Sequence, residues 1–211
     1  MGFNLIRFAL DPQYRAIKRW KRAKGDERLL TDFELGPASL VVDAGFYKGD
    51  FSARISKNGN PNVLAFEPAP EFCKKAASLL ERLPNVTLEC AGLSDFNGTA
   101  SLVYDNDGSS TQRKQEGDTV EVTLRRASDV VRAAGRPVDL MKLNIEGDEY
   151  PALEDLIAEG QVAAIRHLVV QFHLIGDDSR ERYARIAEKL SATHDLVWRY
   201  PFIWERWDLR T

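Results

Sequence analysis

The sequence predicts an α/β domain in which a mostly parallel sheet is covered by helices on both faces. From residue 39 onward, apolar β-like runs alternate with helix-like segments, and such alternation forms right-handed βαβ units. Glycine and acidic residues follow the ends of several of these runs, where ligands bind in such sheets. The 211 residues are 44% hydrophobic and 29% charged, which is enough for one domain with a substantial core.

Residues 1–30 differ from the rest in charge and are predicted to form a basic helical extension of a domain at 31–211. Between Arg7 and Arg28 there are eight Lys or Arg and three Asp or Glu. An apolar stripe at three- and four-residue steps predicts an amphipathic helix that Asp11-Pro12 breaks or restarts. The stripe consists of Phe3, Ile6, Leu10, Tyr14, Ile17 and Trp20. Three roles stay open: packing on the domain or a partner subunit, covering the active site, and lying on an anionic membrane.

After residue 39, strands and helices are predicted from apolar runs and from the Gly, Pro, Asn and Asp residues that separate them. Strands are predicted at 39–45, 62–68, 85–93, 138–145, 165–173, 194–200 and 202–209. Helices are predicted at 50–58, 69–82, 127–135, 149–159 and 179–191. The segments 97–105 and 118–127 indicate a hairpin or insertion, and we expect the loop 105–118 between them to influence specificity.

The charge and the cysteines restrict the class of protein. A net charge of −3 does not indicate nucleic-acid binding. No apolar run reaches the ~18–20 residues of a membrane span, and the N-terminus is a poor secretory signal. Cys73 and Cys90 lack metal-ligand spacing and indicate reduced thiols without a disulfide. We therefore expect a cytoplasmic protein without membrane association, and a homo-oligomer stays open. His167 and His194 are expected at the surface.

A polar row interrupts the strand at 138–145, within the stretch VDLMKLNIEGDEY. Lys142, Asn144 and Glu146 alternate with apolar residues and therefore face one side. A central parallel strand should instead be apolar on both faces. Because an unpaired buried carboxylate is unfavourable, the row predicts a solvated cleft at the carboxyl end of the strand. Lys142 lies deepest, and we expect it to neutralise nearby carboxylates.

The stretch VVDAGFYKGDFS predicts a ligand-binding loop after the first strand. Asp43 ends the strand, and Gly45 and Gly49 bracket a loop that leads into a helix with free N–H groups. The spacing is G-x-x-x-G rather than G-x-G-x-x-G, and Asp43 would repel a pyrophosphate. An amine and a sulfonium would suit it better, which favours S-adenosylmethionine over NAD. The alternative is an ordinary strand–helix turn.

Acidic residues also follow the second and third strands. Glu67 lies 22 residues after Gly45, close to the ~20 expected of a ribose-binding acid, and the alternative is a Glu stabilised by a helix N-terminus. In GLSDFNG, Asp95 could accept a hydrogen bond from an adenine amino group while the backbone of Leu93 and Ser94 pairs with the ring. The alternative there is an Asx turn.

Four motifs together resemble FkbM-type methyltransferases over about residues 38–175. They are VVDAGFYKGDFS, AFEPAPEF, GLSDFNGTASL and VDLMKLNIEGDEYPAL, with VVQFH where that family has a later strand. The resemblance implies a Rossmann-like class I fold with a seven-stranded sheet of order 3-2-1-4-5-7-6. It also implies S-adenosylmethionine as methyl donor, S-adenosylhomocysteine as product, and O-methylation of a small hydroxylated acceptor such as a sugar, glycan or natural-product intermediate. The expected cofactor residues are Asp43, Gly45, Phe46, Tyr47, Gly49, Glu67, Pro68, Leu93, Ser94, Asp95 and Asn144.

The expected catalytic residues are Glu146, His173 and Asn144. Glu146 and His173 are the candidates for the general base that a hydroxyl acceptor requires. Asn144 stands where the family usually has Asp, and Gln171 where Glu is common. Both changes remove negative charge, so no metal is predicted. They also motivate an alternative: a catalytically weakened cofactor-binding or scaffold protein of the same fold.

Overall fold

The computed structural model describes residues 11–103 and 119–211, which form two sheets and the helices around them. The strands are β1 (Leu40–Ala44), β2 (Asn62–Phe66), β3 (Val86–Glu89), β4 (Gly92–Ser94), β5 (Gly98–Val103), β6 (Thr119–Arg126), β7 (Val138–Leu143), β8 (Ile165–Val170), β9 (His194–Tyr200) and β10 (Trp204–Leu209). The helices are α1 (Pro12–Arg22), α2 (Gly25–Arg28), α3 (Asp50–Ser56), α4 (Pro70–Leu80), α5 (Ala127–Ala133), α6 (Glu149–Ala158) and α7 (Ser179–Leu190), with a 3-10 helix at Gln161–Ala164.

The large sheet has seven strands in the order β3-β2-β1-β7-β8-β10-β9. The strands from β3 to β8 pair in parallel, and β10 runs antiparallel to both β8 and β9. Counted within this sheet alone, the order is 3-2-1-4-5-7-6, so the predicted fold is confirmed. The topological switch lies between β1 and β7, which places a ligand crevice at their carboxyl ends.

Helices cover both faces of this sheet, as predicted. One core cluster joins the sheet to α5, α6 and α7, through side chains such as Val131, Leu153 and Ile186. The other joins it to α1, α3 and α4, through Trp20, Ile55 and Ala76. Because both faces are sealed by apolar packing, the polar side chains of the central strands can meet solvent only at the strand ends.

The strand predicted at 85–93 is in fact two strands, which corrects that prediction. β3 ends in the large sheet, and β4 pairs in parallel with β6 in a three-stranded sheet of order β4-β6-β5. The chain turns where the Ala91 N–H donates to the Glu89 carbonyl. Gly92 then approaches β6 so closely that an added Cβ would lie 2.8 Å from the Leu124 side chain.

Helix α1 begins at the predicted break. The Asp11 carboxylate accepts a hydrogen bond from the Tyr14 N–H, and Pro12 occupies the first turn, where a missing N–H has no effect. Trp20 packs against Trp198 and Tyr200 of β9 at 5.7 and 5.2 Å between ring centroids. This part of the stripe therefore packs on the domain. Phe3, Ile6 and Leu10, and the loop 105–118, lie outside the described residues, and no described helix has the length and apolarity to cross a membrane.

Two further expectations are wrong. Cys73 of α4 and Cys90, which follows β3, form a disulfide with their Cα atoms 6.0 Å apart. The βαβ crossover brings the start of α4 beside the end of β3, which a spacing of 17 residues does not reveal. His194 is fully buried, where its Nε2 lies 2.9 Å from the Ile165 carbonyl. The disulfide removes the argument from the thiols for a reducing compartment.

Candidate active site

The loop after β1 joins the predicted cofactor residues to the end of β7. Gly45 has φ +86°, and a Cβ there would lie 2.0 Å from the Asn144 carbonyl oxygen, so no larger residue fits. Two residues later, the Tyr47 N–H donates to Glu67 Oε2 at 2.7 Å. The loop therefore contacts the ends of both β2 and β7, and it fixes the spacing of the crevice between them.

Glu67 is a buried carboxylate that is held by the backbone. Its Oε1 accepts from the Ala69 N–H at 3.0 Å, while its Oε2 accepts from Tyr47. Burial raises the pKa of Glu67, although these two hydrogen bonds and the charge of Lys142 act in the opposite direction. Each oxygen keeps a second lone pair, so the group can accept two hydrogen bonds from a diol.

Asp43 and Lys142 are direct neighbours across β1 and β7 and form a buried ion pair. Lys142 Nζ lies 2.9 Å from Asp43 Oδ1, and it also donates to the Gly45 carbonyl at 2.7 Å. The second carboxylate oxygen, Oδ2, accepts from the Ser52 hydroxyl at 2.6 Å. Lys142 therefore neutralises a carboxylate as expected. Because both oxygens of Asp43 act within the fold, a direct contact of Asp43 with a ligand stays a prediction.

Asn144 follows β7 in the crevice. Its N–H donates to the Ala44 carbonyl at 3.1 Å, which fixes the backbone beside Gly45. Within the part of the chain that the structure describes, its Oδ1 is one of two buried side-chain atoms without a hydrogen-bond partner. A buried polar atom without a partner is unfavourable. The Asn144 oxygen is therefore suited to receive a hydrogen bond from a ligand.

The ends of β7 and β8 bring Glu146 and His173 together. His173 Nε2 lies 3.3 Å from Glu146 Oε1, and the Glu146 side chain is 25% exposed. On the other side of the ring, His173 Nδ1 lies 3.1 Å from Oε1 of the fully buried Glu149. The two predicted base candidates are thus paired and partly exposed, and a second carboxylate lies behind the imidazole.

The pKa of His173 reflects these two carboxylates. Burial alone would lower the pKa, but the hydrogen bonds and charges of Glu146 and Glu149 outweigh it and raise the pKa to about 9. A titrating group with a shifted pKa at a strand end is typical of a functional site. Among residues 11–103 and 119–211, no His, Cys, Asp and Glu side chains are grouped to hold a metal ion.

Other predicted site residues have different positions. The Phe46 side chain lies in the core, and the Leu93 side chain is buried as well. The Ser94 hydroxyl donates to Asp148 at 3.1 Å, which ties β4 to the start of α6. Tyr47 is 41% exposed and has φ +52°, with its ring against Phe72. The remaining ones, Gly49, Pro68 and Asp95, lie in the loops that follow β1, β2 and β4.

Sequence reasoning missed two contacts in the site, that of Ser52 with Asp43 and that of Glu149 with His173. The family resemblance implies only that Glu149 is a signature position, like Lys142 and Glu146. A signal existed for Glu149, since it lies three residues after Glu146 in the motif E-G-x-E. Its contact with His173 could not be read from the sequence, because that residue is 24 positions away.

One protein-family model matches the part of the sequence that contains the candidate site. The Methyltransferase FkbM domain matches residues 43–198, a range that includes every residue of the candidate site. No curated protein matches the sequence.

Solved structures show similarity in fold. A fibrillarin pre-rRNA processing protein from Methanococcus jannaschii has 13% identity, a TM-score of 0.52, and coverage of 88% of this chain and 76% of its own. An rRNA methylase from Streptococcus thermophilus has 14% identity, a TM-score of 0.51, and coverage of 86% and 92%. Fibrillarin from Aeropyrum pernix with natively bound S-adenosyl-L-methionine has 12% identity, a TM-score of 0.51, and coverage of 88% and 74%.

Proposed function

The chain belongs to the FkbM methyltransferase family, and on that premise we propose that it transfers a methyl group from S-adenosylmethionine to a hydroxyl oxygen of a small acceptor. A sugar, a glycan or a natural-product intermediate fits this description. The observation that carries the proposal is the partly exposed Glu146–His173 pair, which lies beyond the ends of β7 and β8. Through Asn144 and Gly45, this pair is connected to the loop that holds Glu67.

The residues of the crevice fit the cofactor. Glu67 offers one lone pair on each oxygen to the two ribose hydroxyls, because each oxygen accepts one backbone N–H. Asn144 Oδ1 suits the ammonium group of the methionine part, since it is a buried acceptor without a partner among the described residues. Because Gly45 has no Cβ, its backbone lies directly against the Asn144 carbonyl. The lack of a side chain also lets a ligand approach this backbone closely. When bound, S-adenosylmethionine supplies a methyl group that its sulfonium already activates.

The acceptor side has to orient a hydroxyl and remove its proton. With a pKa of about 9, His173 is mostly protonated near neutral pH, so the base is the neutral fraction, which increases as the pH rises toward 9. In that form His173 can accept the proton at Nε2, the ring nitrogen that lies 3.3 Å from Glu146. Glu146 then stabilises the imidazolium that results. General-base catalysis of this kind contributes typically about 10²–10⁴-fold, in addition to the gain from alignment of the acceptor oxygen.

Calorimetry with S-adenosylhomocysteine tests the cofactor part of the proposal. We expect saturable binding in the micromolar range, and we expect Glu67→Gln to weaken it because the ribose loses an anionic partner. The absence of heat at high micromolar ligand would contradict the proposal.

A turnover assay across hydroxylated acceptors tests the catalytic part. Glu146→Gln should lower kcat by about 10²-fold or more while the affinity for S-adenosylhomocysteine stays unchanged. Unchanged turnover would remove Glu146 from the mechanism. Binding of the cofactor without turnover on any acceptor would instead favour a cofactor-binding protein that has lost catalysis.

A further inference from the structure

We propose that Glu149 is a positioning residue, which fixes the imidazole of His173 so that its Nε2 faces the acceptor side of the crevice. The inference rests on the proposed function, because it assigns the support of the proposed base. Glu149 does not itself face solvent, because its side chain is fully buried beneath His173.

The Glu149 carboxylate holds His173 at two points. Its Oε1 accepts from the His173 backbone N–H at 2.6 Å and lies 3.1 Å from His173 Nδ1. The neighbouring residue of α6 adds a third point, since the Tyr150 hydroxyl donates to the His173 carbonyl at 2.8 Å. The first turn of α6 therefore holds both the backbone and the ring of His173.

The same carboxylate also holds the end of β7. Its Oε2 accepts from the Gly147 N–H at 2.8 Å, directly after Glu146. The backbone turns sharply here, with φ +51° at Glu146 and +112° at Gly147. A non-glycine residue with positive φ requires support from its surroundings. One buried group thus fixes both members of the Glu146–His173 pair relative to each other.

This arrangement determines which ring nitrogen carries the proton. An ionised carboxylate can only accept hydrogen bonds, so Nδ1 of His173 must be the donor to Glu149. By the same argument, Nε2 donates to Glu146 in the imidazolium. When the ring loses one proton, Nδ1 keeps its hydrogen, because the fully buried Glu149 has no solvent to replace that donor, whereas Glu146 is 25% exposed. In the neutral imidazole the lone pair is then on Nε2. Without Glu149 the other tautomer would become available, and in that tautomer Nε2 carries a hydrogen and cannot accept one.

A purely structural role of Glu149 makes a different prediction. An acidic residue in the first turn of a helix stabilises the helix through the dipole, and Glu149 occupies that position in α6. That role would affect stability without changing the tautomer or the pKa of His173. The charged groups that act on the His173 ring are Glu146 and Glu149, so the loss of either carboxylate can be detected at the ring.

The test compares Glu149→Gln with Glu154→Gln, the same chemical change on the same helix at a surface partner of Arg182. Nitrogen NMR of the His173 imidazole in the full chain reports both tautomer and pKa. We expect Glu149→Gln to lower the pKa by about 1–3 and to abolish the preference for a proton on Nδ1. In turnover we expect kcat to fall by about 10²-fold with KM and S-adenosylhomocysteine affinity unchanged. The control should match the wild type in every measurement.

Glu149→Asp covers the case in which the amide variant does not fold. It keeps the charge but shortens the side chain by one methylene, so the pKa should stay raised while the tautomer preference and kcat both decline. A wild-type imidazole spectrum in either variant would overturn the inference. The NMR result does not need an acceptor, so it decides the inference even where no methyl transfer is found, an outcome that contradicts the proposed function alone.

Discussion

The candidate site contains two clusters of buried charged residues, and the charges are balanced differently in each. The Glu67 half consists of Glu67, Asp43 and Lys142, and the His173 half consists of Glu146, Glu149 and His173. In the Glu67 half, one lysine neutralises Asp43 at 2.9 Å and backbone N–H groups hold Glu67. In the His173 half, two carboxylates lie on either side of one imidazole, at 3.1 and 3.3 Å.

We infer from this difference that the charges of the Glu67 half mainly stabilise the fold, whereas those of the His173 half can take part in proton transfer. Disruption of a buried pair of one cation and one anion mainly destabilises the fold. Two carboxylates around one histidine raise its pKa to about 9, so that group changes charge within reach of physiological pH. We therefore expect substitutions in the Glu67 half to affect stability most, and those in the His173 half to affect proton transfer.

Lys142→Met should produce the largest loss of stability. The substitution keeps the length of the side chain but leaves the fully buried Asp43 without its cation. The removal of one partner from a buried ion pair typically costs about 3–5 kcal/mol. We expect a decrease of that size in the free energy of unfolding, measured by urea denaturation at pH 7.

The matched control is Lys75→Met, which removes an exposed partner of Glu71. Its effect should stay within about 0.5 kcal/mol. Combining Lys142→Met with Asp43→Asn should restore part of the lost stability, because the uncompensated charge is then gone. Equal small effects of both lysine substitutions would show that the Glu67 half does not depend on its ion pair.

The disulfide should have the next largest effect, and it lies beside the Glu67 half. Cys73 Sγ also lies 3.3 Å from the Glu67 carbonyl oxygen, so the link lies directly beside that strand end. A cross-link between residues 17 positions apart restricts the unfolded chain. By loop entropy this contributes about 3 kcal/mol. The double variant Cys73→Ser, Cys90→Ser should unfold at correspondingly lower urea.

Reductant provides the control for this prediction. Dithiothreitol should lower the free energy of unfolding of the wild type toward that of the double variant and leave the double variant unchanged. Mass spectrometry that finds two free thiols in the air-exposed native protein would contradict the link.

The fold could be predicted from the sequence because its elements are encoded locally. Asn62–Phe66 is a short, mostly apolar run, and Val138–Leu143 is apolar except for Asp139 and Lys142. The alternation of such runs with helices implies a parallel sheet. The prediction was wrong at 85–93 because nothing local shows that the chain leaves the large sheet. Pairing with Thr119–Arg126, more than 20 residues later, determines that change.

The site was predictable where a single residue at a strand end carries the information. Glu67 and Glu146 can be recognised because a carboxylate at the end of an apolar strand is unfavourable unless it has a partner or contacts solvent. The contact of Glu149 with His173 and the burial of His194 depend on partners 24 and 29 residues away, which only the packed structure brings together. Periodicity describes one element at a time, so contacts between elements stay hidden.

The smallest predicted effect is the change in the free energy of unfolding with pH, which depends on the His173 half. His173 binds its proton more tightly in the folded state, with a pKa of about 9, than a histidine of ordinary pKa 6.5. Its stabilising contribution is therefore complete below pH 6.5 and is lost as the pH rises to about 9. Between pH 7 and pH 9 the free energy of unfolding should fall by about 2 kcal/mol.

His173→Gln isolates this contribution, because glutamine does not titrate. Burial lowers the pKa of His194, so its contribution is lost only as the pH falls below 6.5 and does not enter this range. The tyrosines with raised pKa, Tyr150 and Tyr183, act only above pH 10. Urea denaturation at pH 7, 8 and 9 should give a falling free energy for the wild type and a flatter line for the variant. Parallel lines would mean that the His173 half carries no titrating charge, and its contrast with the Glu67 half would then disappear.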